Sequence, residues 1–269
     1  MGIVAVDVGG TWSRVAGEGR SAVRFATDAG YDRELALLVD AVRAAEASPS
    51  AVGVSFGGRV TGDGDVRTAL NLRSYEGRRL GRDLQDALGC PVRVAHDATC
   101  GLLGEAWHPG GSLHGVERSG YLTVSTGVGA ALRLGDTVLT TEAGHQIVPG
   151  NERRCACGQT GCLETLVGGR AVREHLGRPL EEVDDPQFWQ QYAQSLALGI
   201  VNFALSAGLA AVAVGGAVAL RRRELWGPLR SAVARIGTYQ PLEVVPASHG
   251  APLAGAAVLA GAPPAGLLH

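Results

Sequence analysis

Glu142-Ala143-Gly144-His145 is followed, after a short stretch, by Cys155-Ala156-Cys157-Gly158-Gln159-Thr160-Gly161-Cys162-Leu163-Glu164. One imidazole and three thiols in a single loop-rich segment are the ligand set of a closed tetrahedral Cys₃His zinc site. This cluster constrains the fold more than any other feature, since the surrounding chain must hold a compact loop closed on a metal. Cys155 and Cys157 are too close in sequence to favour a mutual disulfide, and Gly158 and Gly161 let the backbone return so that Cys162 meets them. Two carboxylates, Glu142 and Glu164, bracket the ligands, and a metal that fixes the loop also fixes both. Carboxylates held this way accept hydrogen bonds from vicinal hydroxyls, the chemistry that sugar recognition requires.

A chain of 269 residues with 46% hydrophobic content is long enough for one large domain or two lobes. Its net charge of −2 argues against a nucleic-acid partner, and the one basic run, Arg221-Arg222-Arg223, follows an apolar segment as a solvated element end does. Five cysteines, three of them metal-like, suit a reducing cytosol, and no signal peptide is read at the N-terminus, so a cytoplasmic location is expected. Residues 196 to 220 are small and apolar, but Asn202 and Ser206 interrupt them. Gly208 divides the stretch into a helix and a strand, and no membrane span is expected.

From the N-terminus, Ile3-Val4-Ala5-Val6 reads as a buried strand entering Asp7-Val8-Gly9-Gly10-Thr11, with Trp12 to Ala16 as the returning strand. Glycines in that turn allow a close approach at which backbone N–H groups cradle phosphate. Asp7 is a candidate Mg²⁺ carboxylate acting through water, and Arg14 is placed to reach a phosphate oxygen. A helix is predicted over 33 to 47, then a strand Val52 to Phe56, then a polar loop over 59 to 77 containing Asn71. A second helix near Gly81 to Leu88 precedes the strand Pro91 to Val94, which delivers His96-Asp97 to a helix from Ala98 to Trp107. Asp97 at a strand end suits a general base for an alcohol, and equally an N-cap. Tyr121 to Val124 opens a second strand–turn–strand unit through Ser125-Thr126-Gly127-Val128-Gly129, and Ala211 to Val214 runs into Gly215-Gly216. Between them Gln187 to Leu209 reads as helical. The alternation of strands and helices indicates an α/β architecture.

These motifs together resemble the ROK family (repressor, open reading frame, kinase) of sugar kinases, within the two-lobed, ribonuclease H-like fold of actin and hexokinase. Asp7-Val8-Gly9-Gly10-Thr11 resembles its first phosphate motif, Ser125-Thr126-Gly127-Val128-Gly129 its second, and Val214-Gly215-Gly216 its adenosine motif. His96-Asp97-Ala98 stands at the family's Asn-Asp-Ala, whose Asp is the catalytic base, and the Glu142 to Glu164 segment matches its sugar and zinc signature. His96 replaces the family's sugar-binding Asn, Trp12 replaces a Lys or Asn, and Ala131 replaces a glycine.

The resemblance implies an ATP-dependent hexose kinase that uses Mg²⁺ and a structural Zn²⁺, most simply a glucokinase, with N-acetylhexosamine kinase or fructokinase as alternatives. It implies sugar contacts from Asn71, His96, Asp97, Glu142, His145 and Glu164. Nucleotide contacts are implied from Asp7, Gly9, Gly10, Thr11, Trp12, Arg14, Ser125, Thr126, Gly127, Gly215 and Gly216. The metal set is His145, Cys155, Cys157 and Cys162. The expected lobes are 1–97 with 251–269, and 98–250, around a central cleft, the second lobe carrying the zinc loop and a homodimer surface. Two other classes are weighed against this. A sugar-responsive repressor of the family carries a winged helix before the kinase-like body, for which a phosphate-loop strand starting at Ile3 leaves no room. A sensor or structural ATPase-fold protein does not account for base, carboxylates and zinc loop together.

Overall fold

The computed structural model describes residues 2–237 and 239–268. In chain order its elements are β1 (Ile3–Val8), β2 (Trp12–Gly17), β3 (Val23–Ala26), α1 (Tyr31–Ala45), β4 (Ala51–Phe56), β5 (Arg59–Val60), β6 (Val66–Thr68), α2 (Leu80–Leu88), β7 (Val92–His96) and α3 (Asp97–Trp107). They continue as β8 (Arg118–Val124), β9 (Val128–Leu134), β10 (Thr137–Thr141), α4 (Glu164–Val167), α5 (Gly169–Leu176), α6 (Pro186–Ala207), β11 (Ala211–Gly215), α7 (Ala217–Arg221), α8 (Trp226–Ile236), β12 (Glu243–Pro246), α9 (Ala251–Gly261) and β13 (Gly266–Leu268). The chain divides into two compact units. One comprises Met1–Gly111, Asp136–Thr140 and Gly250–His269, the other Ser112–Gly135 and Thr141–His249.

The first unit is built on a sheet in the order β3-β2-β1-β4-β7, antiparallel over its first three strands and parallel from β1 onward. Central strands of parallel sheets are covered on both faces, so β1 and β4 are near-continuous apolar runs: Val4, Val6, Val8, Val52, Val54 and Phe56 are fully buried. Helix α1 presents Leu38, Val39 and Val42 to that core, at helical spacing, with Asp32 and Glu34 in its first turn and Arg43 in its last, as the helix dipole favours. The polar stretch expected to be a loop over 59 to 77 contains instead the β5–β6 hairpin and a single 3₁₀ turn at Arg73–Tyr75. Strands of two and three residues carry too little alternation to be read from sequence. β10 and β13 pair in parallel, Val138 opposite Leu267.

Helix α3, which the sequence division at residue 97 assigns to the second lobe, belongs to the first unit because it packs on α9. The reason is covalent size. A Cβ on Gly104 would collide with the Ala251 carbonyl oxygen, and one on Gly255 with that of Cys100. A Cβ on Gly53 of β4 would likewise strike the Ala256 carbonyl of α9. Mid-helix glycine costs about 1 kcal/mol relative to alanine, so the close approach must outweigh that penalty. Gly255→Val is therefore expected to lower the melting temperature by roughly 5–10 °C through overpacking. Calorimetry giving an unchanged melting temperature would remove this account of the α3–α9 contact.

The second unit has a sheet containing β12-β11-β8-β9, in which β8 and β9 are antiparallel while β8, β11 and β12 are parallel. This repeats the β2-β1-β4 pattern of the first unit: a hairpin whose first strand is flanked by a parallel neighbour. Helix α6 starts on Asp185, whose side chain accepts the N–H of Gln187 at 2.9 Å, with Pro186 at its first position. It ends at Gly208 with φ 60°, a left-handed conformation that glycine adopts without steric cost. Among the described residues no helix is long and apolar enough to cross a membrane.

Candidate functional site

In the first unit, the β1–β2 turn closes through the Gly9 N–H to the Trp12 carbonyl at 3.1 Å. Thr27 pins it from outside, its hydroxyl donating to the Gly9 carbonyl at 2.8 Å. Gly10 has room for no side chain, since a Cβ there would lie 2.9 Å from that of Asn71, and this brings Asn71 against the turn. Asp7, buried at the end of β1, is already engaged: its Oδ2 accepts Arg14 Nε at 3.0 Å and Nη2 at 2.7 Å, and its Oδ1 accepts the Ser55 hydroxyl at 2.7 Å. Arg14, expected to reach a phosphate, thus forks onto its cross-strand neighbour and neutralises a buried carboxylate. Trp12 stays half-exposed with the Arg24 guanidinium 4.1 Å above its ring.

Asp97 begins α3, where β7 ends. The N-cap is His96, whose Nδ1 accepts the Ala98 N–H at 3.2 Å. The same Nδ1 lies 3.1 Å from Asp97 Oδ1. Burial raises the Asp97 carboxyl above the usual 3.8, and the charge of Asp7 adds to this, while His96 and the Ala98 N–H oppose it. A carboxyl held above its ordinary range is better matched to accepting a proton near neutrality. Of the two thiols outside the metal cluster, Cys90 and Cys100 are both buried, as a core role requires, and burial raises each.

In the second unit, the sequence from His145 to Cys162 folds into a narrow antiparallel ribbon, with bridges Ile147–Cys162 and Arg154–Thr160. Its turns need left-handed backbone, supplied by Gly158 at φ 98° and Gly161 at φ 90°. The ribbon gathers the four expected ligands so that one donor atom of each lies within 4.8 Å of the others. Cys157 and Cys162 sulfurs are 3.7 Å apart, and Cys155 Sγ is 3.8 Å from His145 Nδ1. Zinc–sulfur bonds of about 2.3 Å in a tetrahedron put ligand atoms about 3.7 Å from one another, so the donor set fits this metal. The thiols' acidity points the same way. Burial and the neighbouring sulfurs push Cys162 up to about 12, and burial raises Cys155. Cys157 is held at about 7, against its own burial, by hydrogen bonds from Gln159. Thiols this close are raised because their anions would repel one another, and a cation between them would relieve that repulsion. With Nδ1 on the metal side, His145 Nε2 faces the Glu142 carboxylate at 3.9 Å.

Glu164 opens α4 directly beyond the ribbon, and its buried Oε2 accepts the Val128 N–H at 2.8 Å. That brings it to the Ser125-Thr126-Gly127 turn between β8 and β9. The same turn lines a cavity of about 190 Å³ together with Arg170 and Arg173 of α5, Glu181, and Ala217 and Val218 of α7. Gly215 and Gly216 precede α7. A Cβ on Gly215 would meet the Tyr121 hydroxyl, and Gly216 sits at φ 88° against the Val124 carbonyl, so the chain passes here without side chains. Sequence reasoning missed Arg170 and Arg173, because no motif runs through 165 to 175. A helical reading of Val167 to Leu176, with arginines three apart on one face, is the signal that could have found them.

The N-acetyl-D-glucosamine kinase of Pectobacterium carotovorum subsp. carotovorum is 33% identical over 168 residues, covering 54% of this chain and 55% of that one. The chain spans about half the length of the curated relatives it matches. A ROK hexokinase from Thermus thermophilus superposes with a TM-score of 0.82 at 30% identity, over 97% of this chain and 98% of the other. A ROK glucokinase from Streptomyces griseus, solved with glucose and AMPPNP, superposes with a TM-score of 0.80 over 97% and 99%, and at 24% identity shows the shared fold alone. Residues 3–262, which include both glycine turns, the His96-Asp97 pair and the Cys₃His ribbon, match the sequence profile of the ROK family, and the chain belongs to that family.

Proposed function

We propose that this protein is an ATP-dependent hexose kinase that transfers the γ-phosphoryl group of MgATP to a sugar hydroxyl, with glucokinase-type 6-phosphorylation as the simplest case. The observation that carries the reading is Asp97: a carboxylate at a strand end, raised by burial, on a chain of this family. Asp97 takes the proton of the attacking hydroxyl. In the first unit Asn71 and His96 are the proposed hydroxyl contacts, and Gly9, Gly10 and Thr11 a proposed phosphate turn. In the second unit Glu142 and His145 through Nε2 are hydroxyl contacts, Ser125, Thr126 and Gly127 carry nucleotide phosphate, and the cavity before α7 takes the adenosine beside Gly215 and Gly216. Asp7, with Arg14 beside it, holds Mg²⁺ through water. When bound, Mg²⁺ neutralises charge developing on the phosphates, and positioning supplies most of the remaining rate. Zinc is structural: four protein ligands leave no open position. The reading includes a cytosolic homodimer.

Substrate choice turns on His96. An Asn there offers a donor and an acceptor on one amide. In His96, Nδ1 is occupied by the Ala98 N–H and Asp97, which leaves Nε2 as the one atom for the sugar. A grip on two adjacent hydroxyls becomes a single bond. We expect the preference to depart from strict glucose towards an N-acetylated hexosamine or a ketose. A coupled ADP-release assay over glucose, mannose, fructose, N-acetylglucosamine and N-acetylmannosamine, repeated on His96→Asn, tests this. His96→Asn is expected to shift the ranking towards glucose. Unchanged ranking removes His96 from specificity, and no turnover on any sugar replaces the kinase reading with a sugar-sensing one.

A further inference from the structure

Glu164 is expected, from the family resemblance, to be a sugar ligand, yet its carboxylate is committed elsewhere. It is only 8% exposed, its Oε2 accepts the Val128 N–H at 2.8 Å, and a Cβ on Gly127 would stand 2.6 Å from that same oxygen. The chain that follows Glu164 grips the preceding residues of the same turn. The Gly169 N–H donates to the Ser125 carbonyl at 2.8 Å and the Arg170 N–H to the Thr126 carbonyl at 2.9 Å. Behind Glu164, the Thr165 hydroxyl donates to the Cys162 carbonyl at 2.8 Å, and Asn151 Nδ2 donates to that carbonyl and to Thr165 Oγ1 at 3.0 and 2.8 Å. The segment 162–170 therefore joins the cysteine ribbon to the Ser125–Val128 turn, and Glu164 is its one side-chain contact with a turn amide among these bonds.

We propose that Glu164 is a positioning residue for the second phosphate-binding turn, which it holds in register with the Cys₃His ribbon. This rests on the reading of Ser125–Gly127 as a nucleotide-phosphate turn. The turn is closed internally by one bond, the Ser125 N–H to the Gly127 carbonyl at 3.0 Å, and Gly127 adds no side chain, so the Val128 amide beyond that bond keeps its place through the carboxylate of Glu164. A buried hydrogen bond to a charged acceptor is among the stronger such bonds available. Its loss is expected to weaken nucleotide affinity by roughly ten-fold or more.

The experiment measures two quantities on the zinc-loaded full chain without sugar: the affinity for Mg²⁺–AMPPNP by calorimetry, and the exchange rate of the Val128 amide by NMR. Glu164→Ala is expected to lose about ten-fold in affinity and to expose the Val128 amide, at unchanged zinc content. Glu164→Gln keeps an acceptor oxygen of the same reach, so it should stay within about three-fold of wild type in AMPPNP affinity and keep the Val128 amide protected, whereas a residue that only binds sugar predicts wild-type AMPPNP affinity in Glu164→Ala as well. Gly127→Ala, which pushes on Oε2 from the turn side, should reproduce the Glu164→Ala loss and serves alone if Glu164→Ala fails to fold. Wild-type binding of AMPPNP with unchanged affinity and Val128 exchange in Glu164→Ala and Gly127→Ala overturns this inference and leaves the kinase reading standing. Failure of the wild-type protein to bind AMPPNP overturns the nucleotide reading and this inference with it.

Discussion

Asp97→Asn is expected to lower kcat by roughly 10²–10⁴ while leaving Mg²⁺–AMPPNP affinity close to wild type. Asn keeps the shape of the side chain but accepts no proton, so the loss reports proton transfer and not packing. The competing explanation is a structural cap: His96 occupies the N-cap and takes the Ala98 N–H, and that same N–H also favours the Asp97 carboxylate. Stability supplies the control. The Asp97 pKa is raised in the fold, so its ionised form is disfavoured there relative to the unfolded chain. Replacing it by a neutral amide removes that penalty at neutral pH, and the melting temperature should hold or rise. A base must be ionised to act, so wild-type activity should fall as the pH drops through a value above the 3.8 of an ordinary aspartate. Turnover near wild type in Asp97→Asn would show that another group takes the proton.

The legible part of the candidate site is local. The four gathered donors lie between His145 and Cys162, and residue type and spacing within one loop single out that cluster without knowledge of the fold. Glycine turns between apolar strands stand out in the sequence for the same reason. What was not legible depends on side chains from separate strands. The motifs assign Asp7 to magnesium and Arg14 to a phosphate, and do not show that the two pair with each other. The antiparallel register sets Arg14 opposite Asp7, and the parallel register sets Ser55 beside it. The motif assigns Glu164 to a sugar, and nothing in its sequence neighbourhood announces its bond to Val128, 36 residues earlier in the chain. The limits of the first unit depend on backbone approach at Gly104 and Gly255, and a lone glycine in a helix does not say what it lies against. Long-range partners therefore separate what a motif names from what each residue does.

Removal of the metal is expected to have the largest structural effect of any single change to this chain. Purified without chelator, the protein should contain one zinc per chain, and Cys162→Ser should contain clearly less. Structural zinc contributes on the order of 10–16 kcal/mol in small peptides, more than the whole stability of an ordinary domain, so its loss should unfold the 145–162 ribbon. The ribbon is otherwise held by short bridges, turns and a few side-chain bonds, among them those of Asn151 and Arg153 to the segment after Cys162, and its tip at Cys157 is exposed. Unfolding should propagate through Glu164 into the Val128 amide, so chelation is expected to raise hydrogen exchange over 142–170 and at 125–128, while β1, β4 and α9 keep their protection. The pH dependence has a definite sign. Cys162 binds its proton up to about 12 in the metal-free ribbon and must release it to bind zinc, so affinity for the metal should fall as the pH is lowered. Cys157, held at about 7, joins the competition below neutrality, so the affinity should fall more steeply with acid there. Metal analysis finding no zinc in protein never exposed to chelator, or exchange over 142–170 unaltered by chelation, would show that the ribbon folds without a metal and that the four donors gather for another reason.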